Sequence, residues 1–506
     1  MQRCKGSARS RGRRAKSLAF QPLIEKPVTA PNWGQAGAGA HFSPADRLWA
    51  MPPRGGGGSL LFSFEQFRSF QNSGDINLLP LNLLIGENSA GKTSFLAGCR
   101  LMVELMRGAS TASFNKDPFF LGSFDQIAHF RGGKGGRAPL FTIRAQARVR
   151  KSPIVVRSRE DANEIRSCTL SITFQNKYSQ PAIKTIDFND GHNYFTHNSD
   201  NSIDVFFGDK ELKITGQKMT AYENITFPAE TSLFSIALFR RTMMVARSMI
   251  SSSARSSKSR DNDAIDGIRN LEGYLLSFRN YFSRRVFASA PVRTRPDRIY
   301  SPTELTPSPE GNHTPNSLIR LKRFSPDEWE QIKNQLELFG SASGLYNSID
   351  LKSLGKSGSD PFQLMISNGG PQRNLMDVGY GVSQSIPIVA EVLSSKISTL
   401  FLFQQPEVHL HPRAQAALGT FFAENVAAKK GNITLVETHS DFMLDRIRYE
   451  IKQGNLDHRQ VQILYFTKGR LDTHIDTIKY DKSGNLINIP KGYREFFLEE
   501  ARRTFS

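Results

Sequence analysis

The chain has 506 residues and a formal charge of +19, from 66 Lys and Arg against 47 Asp and Glu. Its ordinary apolar content supplies core for two or three domains, and no run nears the roughly 18–20 uninterrupted apolar residues of a membrane helix, so a membrane-spanning role is excluded. Cys4, Cys99 and Cys168 lack metal-like spacing and cannot build a disulfide framework, which points to a reducing, cytoplasmic compartment.

Residues 1–58 read as a disordered, basic N-terminal extension, with Arg11, Arg13, Arg14 and Lys16 at one end and Gly55-Gly56-Gly57-Gly58 at the other. A transit peptide fits the Arg/Ser-rich, acid-poor composition. The simpler expectation is that translation starts at Met51 and the preceding residues extend the reading frame too far. The first fifty residues hold nine Lys/Arg against two Asp/Glu, which leaves about +12 on the remainder. That charge admits nucleic acid as a partner without requiring it.

An N-terminal lobe is expected over 59–220. Leu60, Phe62 and Phe64 alternate as in a strand, and Glu65-Gln66-Phe67-Arg68-Ser69-Phe70 leads on toward a glycine loop. Pro80-Leu81-Asn82-Leu83-Leu84-Ile85 is a short buried-strand run, and Gly86-Glu87-Asn88-Ser89-Ala90-Gly91-Lys92-Thr93 matches G-x-x-x-x-G-K-T in full. After it, Phe95, Cys99, Met102 and Met106 mark one face of a helix. Strand, glycine loop and helix together predict a nucleoside triphosphate site. Backbone N–H groups and the helix N-terminus would face the phosphates, Lys92 would reach the β/γ-phosphates, and the Thr93 hydroxyl would ligate Mg²⁺. The nucleotide-binding set is therefore Gly86, Asn88, Ser89, Gly91, Lys92, Thr93 and Ser94, with ATP and Mg²⁺ as cofactors.

Beyond that helix come a Gly122–Gln126 loop, the basic Arg131–Arg137 loop, and β-patterned runs at 140–149, 168–174, 183–188 and 203–214, which predict an antiparallel sheet. A helical and irregular insertion is expected over 221–360. It holds helices near Leu233–Met249, Ile265–Phe282 and Pro326–Phe339, a Ser/Arg-rich linker at 251–263, and an irregular stretch at 290–316 that includes Pro291-Val292-Arg293-Thr294-Arg295-Pro296. No heptad array announces a coiled-coil arm.

A C-terminal lobe follows over 361–506. Asp377-Val378-Gly379-Tyr380-Gly381-Val382-Ser383-Gln384 is a small-residue turn opening an apolar helix, a second anion-binding arrangement. Thr399–Phe403 reads as a buried strand ending in Gln404-Gln405-Pro406-Glu407-Val408-His409-Leu410-His411, and Ile433–Thr438 as another that delivers His439-Ser440-Asp441. His409 and His411, placed on one strand face, have no third metal ligand, so structural roles are favoured. Only 67 residues follow His439, so no fused nuclease domain is expected.

The Glu65–Phe70 opening with its phosphate loop, the Asp377–Gln384 turn, the Gln404–Pro412 strand end and Glu437–Asp441 resemble the ABC-type, broadly AAA-type ATPases of the SMC/RecF/OLD branch. The resemblance covers 59–110 and 360–490 well, and the middle loosely. The Pro291–Pro296 element and the short arm resemble stand-alone ATPases paired with a partner gene, such as the ATPase component of the PARIS phage-defence system. The resemblance implies an α/β P-loop NTPase of ABC-ATPase type, with an antiparallel β subdomain and a helical insertion. It implies that Ser383 and Gly381 cap the γ-phosphate of another subunit in a head-to-tail dimer or larger assembly. It further implies that His439 senses the γ-phosphate, that Gln126 contacts metal and water, and that a neighbouring gene encodes a partner effector.

One departure bears on catalysis. The branch carries an acid at the first strand-end position to anchor Mg²⁺, where this chain has Gln404, followed by Gln405. Gln404 is left as the metal contact, and Gln404, Gln405 and His439 form the candidate catalytic set. An amide oxygen can hold a metal-bound water but cannot act as a base, and losing general-base help costs roughly 10²–10⁴-fold in rate. The sequence reading is a slowly hydrolysing ATPase that controls a partner in phage defence or DNA maintenance. Its rivals are a nucleotide-dependent scaffold and a RecF-like DNA-binding repair ATPase.

Overall fold

Alternation of large apolar residues builds the first sheet. The computed structural model describes residues 60–107, 113–152, 164–199, 202–207, 210–214, 258–302, 306–428 and 431–493. In β1 (Leu60–Phe67), Phe62 and Phe64 point inward with no exposed surface. β2 (Phe70–Asn72) and β3 (Ile76–Leu78) flank one edge of β1, before β4 (Leu81–Gly86) and α1 (Lys92–Met106). Phe95, Cys99, Met102 and Met106 are all fully buried, as their helical spacing predicts. A small hairpin, β5 (Asn115–Lys116) with β6 (Phe119–Phe120), and the short α2 (Phe124–Ile127) come next.

The expected antiparallel sheet continues through β7 (Leu140–Arg150), β8 (Ile165–Lys177), β9 (Gln180–Asn189), β10 (Asn193–Asn198), β11 (Ile203–Phe207) and β12 (Lys210–Ile214). The strands are ordered β12-β11-β10-β9-β8-β7-β1-β2, with β3 also on β1. Two details differ from the sequence reading. The run at 203–214 is two antiparallel strands rather than one, with Phe207 opposite Lys210. β10, between polar Asn/Asp-rich stretches of sequence, was not anticipated. The helix expected near Leu233–Met249 lies outside the described residues.

The second half of the chain completes a different sheet. α3 (Lys258–Phe282) leads into β13 (Arg285–Ser289), then α4 (Thr314–Phe324) and α5 (Pro326–Ser343). β14 (Ser348–Ser353), β15 (Phe362–Ser367) and β16 (Arg373–Asn374) make a small antiparallel sheet. They precede α6 (Tyr380–Ser394), β17 (Thr399–Gln404), α7 (Pro412–Ala427), β18 (Ile433–Glu437), α8 (Asp441–Lys452), β19 (Val461–Lys468), β20 (Thr473–Tyr480) and β21 (Leu486–Ile487). β13 and α4 were not read from the sequence; α4 begins within the proline-rich stretch, with Pro315 in its first turn, where a missing N–H costs nothing.

The central sheet runs β13-β17-β18-β4-β19-β20-β21, and its first five strands are parallel. Parallel strands covered on both faces read as continuous apolar runs, and β17 and β18 are buried along their whole length. Leu400 and Leu402 pack into a core shared with α1, α3 and the antiparallel sheet. Phe401 and Phe403 face the opposite core, shared with α4 to α8. β18 lies directly between β4 and β17, so the ends of β4 and β18, and then β17, are brought side by side. The fold is α/β: a mostly parallel sheet that carries the phosphate-loop motif between β4 and α1, with an antiparallel β subdomain and inserted helices. No helix among the described residues is long and apolar enough to cross a membrane.

Candidate functional site

β4 ends at Gly86, whose φ of 145° is open to glycine but strained for other residues; a Cβ there would collide with the backbone carbonyl of Phe466 on β19. The loop then turns through left-handed Ser89 (φ 62°) and Gly91 (φ 89°) into α1. Lys92 is 3% exposed and folds back to donate to the carbonyl oxygens of Gly86 and Glu87, both at 2.8 Å. Burial lowers its pKa, opposed by Glu437 and Glu87. A phosphate would exchange these two carbonyl contacts for charge-assisted ones, which are roughly twice as strong.

A cavity of about 400 Å³ opens at this loop, lined by Ser89, Gly91, Lys92, Thr93 and Ser94. Its other walls are Arg68, Ser69, Gln126, Arg137 and Glu437. Asn88 is exposed in the loop and does not line it. Sequence reasoning gave no role to Arg68, Arg137 or Glu437. Arg68 follows β1 at a left-handed φ of 54° and donates to the carbonyls of Leu121 (3.2 Å) and Gln126 (3.0 Å). Burial, and then the neighbouring positive charge of Arg137, lower its pKa. Gln126 reaches the cavity wall while its Oε1 accepts from the Ser123 N–H at 2.9 Å, capping α2.

Glu437 is the last residue of β18 and is 7% exposed. Thr93 Oγ1 donates to its Oε2 at 3.0 Å. Burial raises the pKa of this carboxyl, opposed by the Thr93 hydrogen bond and by Lys92. An acid ending an otherwise apolar buried strand, two residues before His439, is the sequence signal that could have marked it. A hydroxyl and a carboxylate side by side at a phosphate loop are the oxygen donors that suit Mg²⁺. Thr93 and Glu437 would hold that ion, whose charge would offset that of the phosphates.

The strand-end amides stand further off. Gln404 is the register partner of Glu437, is 6% exposed and does not line the cavity; its Nε2 is buried without a hydrogen-bond partner. Gln405, at φ 42°, donates its N–H to the Glu437 carbonyl at 2.8 Å. Glu407 braces the turn through Oε1 accepting from the His439 N–H at 2.7 Å. The His439 ring is exposed, and its pKa is lowered by partial desolvation and then by Lys92.

Gly381 and Ser383 fall in the first turn of α6, away from the loop cavity. Ser383 is buried, its Oγ donating to the Tyr380 carbonyl at 2.8 Å. Buried Arg293, from the Pro291–Pro296 element, ties this helix to the strand end. Its Nε and backbone N–H donate to Gln384 Oε1, and its Nη2 donates to the Pro406 carbonyl at 3.3 Å. Burial lowers its pKa to about 10, opposed by Glu407. His409 and His411 lie in the turn after β17, not on a strand face as read from the sequence. His411 Nδ1 accepts from the Arg413 N–H at the start of α7, and His409 packs edge-on to Tyr380. No group of three or more His, Cys, Asp or Glu among the described residues is placed to hold a metal.

A protein-family model described as "AAA domain, putative AbiEii toxin, Type IV TA system" matches residues 251–445. It takes in the middle segment, which the resemblance read from motifs covered loosely, and does not include the phosphate loop. A comparison with curated proteins gives no match. Among solved structures the chain is similar to an SMC head bound to the C-winged helix domain of ScpA, at 10% identity over 84% of this chain and 98% of that one, with a TM-score of 0.37. It is similar to an SMC head with an extended coiled coil bound to the C-terminal domain of ScpA from Pyrococcus furiosus, at 12% identity over 88% and 100%, TM-score 0.35. The SMC head from Thermotoga maritima aligns at 10% identity over 83% and 98%, TM-score 0.32.

Proposed function

We propose that this chain binds ATP with Mg²⁺ and hydrolyses it slowly to ADP and phosphate, using nucleotide state to control assembly with itself and with a partner protein. The observation that carries this is the cavity at the phosphate loop, where Lys92, Thr93 and Glu437 converge beneath Arg68 and Arg137. Slow turnover follows from the amides Gln404 and Gln405, which cannot serve as a general base. A role in phage defence or DNA maintenance, of the OLD-like kind and with an effector from a neighbouring gene, draws on the motif resemblance and on the type IV TA system named in the matching family's description.

The same amides favour a second reading, a nucleotide-dependent scaffold that assembles with little hydrolysis. One experiment separates the two. Light scattering with ATP and with a non-hydrolysable analogue, run beside a phosphate-release assay, should show nucleotide-driven assembly and measurable turnover, both abolished by Lys92→Ala. Assembly without turnover leaves the scaffold; neither effect removes both readings.

A further inference from the structure

We propose that Glu437, at the end of β18, is the carboxylate that holds Mg²⁺ beside the phosphate loop, in the place that Gln404 leaves without charge. This rests on the nucleotide-binding reading above. In P-loop NTPases the metal is held by the loop Ser/Thr and a strand-end acid. Here the strand end of β17 offers only an amide, while the neighbouring strand offers an acid already bonded to Thr93 at 3.0 Å. The topology favours Glu437 for reach. β18 pairs directly with β4, with Glu437 opposite Leu84, whereas β17 is one strand further from the loop.

The spacing also fits. Mg²⁺ takes oxygen ligands at about 2.0–2.1 Å in octahedral geometry, which puts adjacent ligand oxygens about 2.9 Å apart. The Thr93 and Glu437 oxygens are 3.0 Å apart. Charge gives a third, independent reason. Of the residues lining the cavity, Lys92, Arg68 and Arg137 are cationic and Glu437 alone is acidic. A buried carboxylate beside a polyphosphate site repels the ligand unless a cation lies between them, and burying an uncompensated charge is costly. A carboxylate that merely oriented Thr93 would carry that repulsion against the phosphates while drawing on Lys92, the cation the phosphates themselves need.

The test is affinity for a fluorescent ATP analogue, measured in EDTA and across a Mg²⁺ titration, on wild type, Lys92→Ala, Glu437→Gln, Glu437→Asp and the double variant Glu437→Gln/Gln404→Glu. Wild-type affinity should rise with Mg²⁺. Glu437→Gln should raise the half-saturating Mg²⁺ concentration at least tenfold and, by removing the repulsion, tighten binding in EDTA. The double variant should bring that concentration back toward wild type. Should Glu437→Gln fail to fold, Glu437→Asp, which draws the charge back by one methylene, should show the same shift to a smaller degree. An unchanged Mg²⁺ requirement in folded Glu437 variants overturns the inference. So does an equal loss of affinity with and without Mg²⁺, which would leave Glu437 as a support for Thr93. Wild type that binds no nucleotide at any Mg²⁺ concentration overturns the proposed function itself, a result distinct from either.

Discussion

Gln404→Glu places a second carboxylate directly across the ladder from Glu437, since the two are register partners on adjacent parallel strands and both are buried. Adjacent strands lie about 4.8 Å apart. Two unit charges at that separation repel by about 3 kcal/mol at an effective dielectric of about 20. Without metal, the variant should therefore be less stable than wild type, with a melting temperature lower by about 3–5 °C for a chain of this length. The loss should shrink as pH falls and one of the paired carboxyls takes up a proton, and be gone below about pH 4.3, the value of a free Glu. Adding Mg²⁺ with nucleotide should reverse the sign, because a cation between two carboxylates turns repulsion into attraction. Turnover should rise tenfold or more, about 1.4 kcal/mol of barrier, because the amides are what deny the site a general base. Differential scanning fluorimetry in EDTA and in Mg²⁺–ATP reads the stability effect. An unchanged or raised melting temperature in EDTA would refute the premise that the two side chains share one site.

Gly86→Ala should cost about 2 kcal/mol or more and abolish nucleotide binding, because φ 145° and the Phe466 carbonyl both exclude a Cβ; thermal melts and analogue binding check both parts. Arg293→Met should lower stability by about 3 kcal/mol in chemical denaturation, since it removes the side-chain donors to Gln384 Oε1 and the Pro406 carbonyl, leaving Gln384 only the backbone N–H, and leaves buried Glu407 without its neighbouring positive charge. Glu424 on α7 has its pKa raised to about 8 by burial and by Glu450. With the folded pKa above the unfolded one, its contribution to stability is complete below about pH 4.5 and is lost as pH rises through about 8. Glu424→Gln should thus leave the melting temperature at pH 4 unchanged and raise it at pH 8.5.

The fold was legible where period and punctuation were strong. The phosphate loop with its flanking strand and helix, the apolar runs of β17 and β18, and most antiparallel strands could all be read, because each carries its own burial pattern. β13 escaped because Arg285–Ser289 is a five-residue run whose identity as a strand comes from pairing with β17, more than a hundred residues later. α4 was hidden by the prolines before it. The site was legible in its loop residues, which follow a local pattern, and not in Glu437, Arg68 and Arg137, which reach the cavity through tertiary packing. Ser383 and Gly381 read as an anion site, and their helix start is as expected. The Ser383 hydroxyl, however, is turned onto the Tyr380 carbonyl.

Equilibrium binding of ATP to wild type and to Lys92→Ala, in the presence of Mg²⁺, addresses the central claim most directly. Lys92 is buried at the floor of the cavity with its ammonium on two loop carbonyls, ready to exchange them for phosphate oxygens. The account predicts saturable binding at one site per chain, weakened about 10–100-fold by Lys92→Ala, the range expected for a hydrogen bond between charged partners. Wild type that fails to bind ATP, or binding that Lys92→Ala leaves untouched, would contradict it.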